Sequence, residues 1–104
     1  MALIDRLAGL GDPEANQKLS VNAFHSAMYE LAAGVVTKAQ VVSYFELDAS
    51  EEAELDWLIG RYNAQPNAAA KERFIELLRV VFILAEAQVP GYTTNAALVA
   101  RLTL

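Results

Sequence analysis

Residues 67–88, NAAAKERFIELLRVVFILAEAQ, decide the fold class. In the first turns Lys71, Glu72 and Glu76 alternate with Phe74, Ile75 and Leu78, the pattern of a helix with one wet side. After Arg79 the polar side disappears, and Val80, Val81, Phe82, Ile83, Leu84 and Ala85 run together before Glu86. At about 100° per residue, Phe74, Leu78, Val81, Phe82 and Ala85 share one stripe, while Val80, Leu84 and Ala87 lie nearly opposite. A helix that is apolar all round must be covered all round, by its own fold or by another chain. The segment predicts a long central helix over 67–88 and points to assembly.

The flanking sequence also reads as helices. Leu3, Ile4, Leu7 and Leu10 recur at helical spacing and predict a short amphipathic helix stopped by Gly11-Asp12-Pro13. Residues 11–19 are polar and turn-rich, a loop or tether, so 1–19 stand as a preface to a helical domain over 20–104. Ser20 is an N-cap for a helix with Val21, Phe24, Met28 and Leu31 on its apolar face and Gly34 at its C′ position. Thr37 caps a short helix containing Val41, Val42, Tyr44 and Phe45, whose composition also suits a strand. Asp48 or Ser50 caps the next helix, with acidic first turns that suit the helix dipole and a stripe of Leu55, Leu58, Ile59 and Tyr62. Asn63 to Asn67 is a loop around Pro66, which starts the central helix, and Pro90-Gly91 ends it. Thr93 or Thr94 caps a last helix with Leu98, Val99 and Leu102. The expectation is an all-α, compact single domain of five to six helices around a long central apolar helix.

Composition narrows the chemistry. The 104 residues fit one domain. They include no cysteine, which removes disulfides, thiolate metal sites and thiol nucleophiles. Asp5, Arg6, Asp12, Glu14 and Lys18 interrupt the first twenty residues, so no secretory signal is expected. The apolar run after Arg79 is far shorter than the ~20 residues that cross a bilayer, and a soluble chain is expected, in a virion or the host cytoplasm. The net charge of −5 is concentrated in Glu46, Asp48, Glu51, Glu52, Glu54 and Asp56. The other seven acidic residues are outnumbered by eight basic ones, an arrangement that disfavours nucleic acid as the main partner.

Each candidate site has a plain structural reading beside the functional one. Thr37 to Ile59 has the outline of a helix-turn-helix, yet Glu51, Glu52 and Glu54 occupy the place where such a unit meets phosphates. A calcium loop from Asp48 would need glycine at 53 and glutamate at 59, where the chain has Ala53 and Ile59. The acidic residues read better as a helix start, or as a docking patch for a basic partner. His25, the single histidine, reads as a boundary residue with Tyr29 at i+4; no nucleophile signature accompanies it, and neither a metal nor a cofactor is expected. Trp57 falls about 160° from the Leu55–Tyr62 stripe with Glu54 and Arg61 beside it, so it is either core under a neighbouring helix or an anchor for another chain.

Tyr44-Phe45-Glu46-Leu47-Asp48-Ala49-Ser50, Glu54-Leu55-Asp56-Trp57-Leu58-Ile59, Arg79 to Glu86 and Pro90-Gly91-Tyr92-Thr93-Thr94 resemble segments of small uncharacterised all-helical proteins of tailed bacteriophages. The resemblance spans most of residues 20–102, rests on helical packing patterns, and brings no site residues with it. It implies a structural or assembly component of the head or tail. The sequence therefore predicts a non-enzymatic interaction protein, self-associating or docked into a larger assembly such as a tailed-phage virion, whose partner surface includes Trp57, Arg61, Val80, Leu84, Glu51, Glu52 and Glu54. The alternative is a small helix-turn-helix-like regulator of gene expression.

Overall fold

The computed structural model describes residues 1–103 and contains seven helices: α1 (Leu3–Leu7), α2 (Pro13–Asn16), α3 (Val21–Ala32), α4 (Lys38–Phe45), α5 (Ala49–Asn63), α6 (Ala68–Glu86) and α7 (Asn95–Leu102). No strand occurs among the described residues. Six of the helices start at a side chain that accepts a hydrogen bond from the first turn: Asp12, Ser20, Thr37, Asp48, Asn67 and Thr94. Each cap satisfies a backbone N–H that has no partner within its own helix. At Thr37 and Asp48 the cap is reciprocal, with Gln40 and Glu51 accepting from the cap residue's own N–H.

Local chemistry explains the departures from expectation. The seventh helix is α2, a single turn where the sequence reads as tether: Asp12 caps it and Pro13 sits in its first turn, where a missing N–H costs nothing. The segment around Val41-Val42 is the short helix expected after Thr37 and not the alternative strand, because the Thr37/Gln40 box starts it and Glu46 closes it in the left-handed region at φ 53°. Asn67 rather than Pro66 starts α6. The helix stops at Glu86, where Ala87 and a left-handed Gln88 turn the chain before Pro90 is reached.

α6, the longest helix, packs against α1, α3, α5 and α7. Its inner stripe of Phe74, Ile75, Leu78, Val81, Phe82 and Ala85 is buried. Phe24 of α3 bridges the core: its ring lies 5.9 Å from Phe45 of α4 and 5.5 Å, edge-on, from Phe82 of α6. Leu3 and Ile4 of α1 are buried in this same core, while Leu10, beyond the end of α1, is exposed. Among the described residues, no helix is long and apolar enough to cross a membrane.

Candidate functional site

α6 presents two apolar sides, and the fold covers one. On the outer side Leu77 is 38% exposed, Val80 49% and Ile83 40%, with Leu84 partly buried beside them. Arg73, Leu77, Val80 and Leu84 stand at i, i+4, i+7 and i+11, so they form one row along the helix. Arg73 heads the row and pairs with no carboxylate among the described residues. Sequence reasoning named Val80 and Leu84 for this surface. It missed Leu77, whose position one turn before Val80 was the available signal.

The acidic cluster has a different architecture from that of an open patch. Glu51 is 2% exposed and faces the Arg6 guanidinium, itself 6% exposed, at 3.5 Å. Arg6 also donates to Asn16 Oδ1 at 2.8 Å and to the Ala15 carbonyl at 3.0 Å. Glu54 Oε2 accepts from the Leu3 N–H at 2.9 Å. Asp48 caps α5 and accepts from the Met1 amino group at 2.8 Å, contacts that hold its carboxyl well below the usual range. Glu52 and Asp56 share Lys38, at 3.2 and 2.8 Å, and both bonds raise the lysine's pKa, Asp56 the more strongly. Glu46 lies 4.0 Å from Lys18. The cluster thus joins α1 and α4 to α5, and its counter-charges come from residues distant in sequence.

Glu54 carries the carboxyl of the group that is pushed upward. Its Oε1 is buried with no hydrogen-bond partner, and burial foremost, with Glu51 and Asp5 nearby, pushes its pKa to about 7 against the opposing Leu3 bond. The folded chain therefore keeps a proton that the unfolded chain releases, and stability falls as the pH rises from 4.5 to about 7. Asp48 and Glu76 are shifted downward and act in the opposite sense, losing stability only as the pH drops below their ordinary values. Glu54→Gln is expected to flatten the fall of Tm between pH 4.5 and 7 and to gain about 2 kcal/mol above it, after discounting for residual solvent contact. A melting temperature of the unmodified chain that does not vary over this range would refute the assignment.

Trp57 and Arg61 are both partly buried, and Trp57 packs against the core. Arg61 reaches the Thr103 carbonyl at 3.5 Å. The cation–π contacts among the described residues are Lys18 over Tyr44 and Arg101 over Tyr92, so no stack of Arg61 on Trp57 is present. His25 meets Glu76 Oε1 at 3.1 Å, and the Tyr29 hydroxyl donates to the same oxygen at 2.8 Å. These bonds lower the Glu76 pKa, the tyrosine's contributing more, and the carboxylate raises that of Tyr29 to about 12. The pair ties α3 to the edge of the exposed α6 row.

A groove of about 450 Å³ runs between α3 and α4, with Ala23, Ala27 and Glu30 on one wall and Val41, Tyr44 and Phe45 on the other. It does not include His25. Among the described residues, no three His, Asp or Glu side chains gather as they would around a metal ion. Comparison with protein-family models, with curated proteins and with solved structures finds no match for this chain.

Proposed function

We propose that this protein is a non-enzymatic structural component that self-associates through the outer face of α6. The observation that carries the reading is the row Leu77, Val80 and Leu84, with Ile83 beside it, left open by a fold that buries the opposite stripe of the same helix. Apolar side chains in a contiguous row, headed by an unpaired arginine, have the composition of an interface core and its rim. The resemblance to helical proteins of tailed bacteriophages supports placing the assembly in a virion, as a head or tail accessory or connector protein.

The regulator alternative meets a physical obstacle. The start of α5, where a helix-turn-helix would meet DNA, is occupied by Met1, Leu3 and Arg6 and carries the cluster's carboxylates.

Light scattering after size-exclusion chromatography tests the proposal over a wide dilution range. The expected result is a mass above 11.3 kDa that falls on dilution, and a Val80→Glu chain that stays at 11.3 kDa. Val80 is half exposed, so this substitution should leave the melting temperature of the monomer nearly unchanged. An unmodified chain that is monomeric at every concentration would overturn self-association.

A further inference from the structure

The self-association reading leaves open what covers the α6 row. Besides that row, the groove between α3 and α4 is an open apolar surface. We propose that the groove receives the α6 row of a second copy, so that the chain assembles head to tail.

Three features support this mate, which rests on the self-association reading. The first is length. The groove follows α3 from Ala23 to Glu30, and the row follows α6 from Leu77 to Leu84. Each spans eight residues, about 10 Å of helix axis. The second is shape. Ala23, Ser26 and Ala27 make the α3 wall low, so another helix can approach closely and set its side chains against Val41 and Phe45. The third is charge. Glu30 stands at one end of the groove and Arg73 at one end of the row, and neither has an ion-pair partner within its own chain among the described residues. Docking places the two together.

The competing arrangement, row against row about a two-fold axis, buries only a few side chains from each copy and leaves the groove empty. Specific interfaces generally bury ~1,200–2,000 Å² in total, which favours using both surfaces. Row and groove are different surfaces of one chain, so the contact is heterologous. Repeated, it closes into a ring or continues as a filament.

Two variants of the full chain separate the arrangements in sedimentation velocity. Val80→Glu blocks the row, and Ser26→Trp fills the groove from an exposed position on α3. Each variant alone is expected to be monomeric at concentrations where the unmodified chain assembles, with association at least tenfold weaker. Mixed in equal amounts, they are expected to form a one-to-one dimer and nothing larger, because only one intact row and one intact groove remain. If Ser26→Trp alone assembles like the unmodified chain, the groove is not the mate and the proposal fails, while self-association through α6 stands. If both variants are monomeric and their mixture is too, the proposal also fails. A monomeric unmodified chain overturns both readings. Should Ser26→Trp fold poorly, Glu30→Arg serves in its place: alone it should weaken assembly, and mixing it with Arg73→Glu should restore assembly, because every row in the mixture then finds a groove end of opposite charge.

Discussion

Glu51→Ala is expected to lower stability by about 3–5 kcal/mol, read as a fall in the urea midpoint without a change of slope. The carboxylate is 2% exposed and, among the described residues, is the one carboxylate paired with the buried Arg6 guanidinium. Without it, Arg6 keeps its bonds to Asn16 and to the Ala15 carbonyl, but its charge is uncompensated in a low-dielectric site. The substitution also removes the acceptor for the Asp48 N–H, breaking half of the α5 capping box. Replacing both members of the pair by apolar residues, Arg6→Met with Glu51→Leu, should recover much of the loss. The cost of the single change comes from the abandoned charge more than from the pair's own attraction. A double variant no better than Glu51→Ala would show that the cap, rather than the charge, dominates.

Phe82→Ala is expected to cost a similar amount, about 3–5 kcal/mol, for a different reason. Phe82 is buried on the inner stripe of α6 and lies edge-on to Phe24. Removing the ring leaves a cavity under α3 and deprives Phe24 of one of its two aromatic neighbours. Domains of this size have only ~5–15 kcal/mol to lose, so thermal unfolding should begin tens of degrees lower. Val80→Ala, two residues earlier on the same helix, should change the monomer's melting point little, because Val80 faces outward. Similar losses at both positions would mean that α6 is covered on both sides.

The contrast between these residues marks what could be read from sequence. Ser20 and Thr37 announce helix starts, and Asp48 and Thr94 do so with Ser50 and Thr93 as rivals, because a cap acts on N–H groups two or three residues away. The inner stripe of α6 was legible for the same reason, since a periodicity is local. Glu51 was not legible: it looks like any acidic residue in a first helical turn, and its partner Arg6 lies 45 positions away. The same holds for Glu52 and Asp56 with Lys38, and for Glu54 with Leu3. A cluster that reads as a free acidic patch becomes a set of joints once the chain brings its counter-charges to it. The row on α6 was half legible, because helical angles place Val80 and Leu84 opposite the core stripe without saying whether a neighbour covers them. The groove could not be seen at all, since it exists only between two packed helices.

The seating of α1 bears on the order in which the molecule is completed as it is made. Leu3 bonds Glu54, Arg6 meets Glu51, and Leu3 and Ile4 are buried in the core with α6. None of these partners exists while the first twenty residues emerge from the ribosome. α1 must wait, apolar side exposed, until α5 and much of α6 have followed it out. A segment synthesised early is thus fastened late, and a chain that stops before α6 leaves it without a seat.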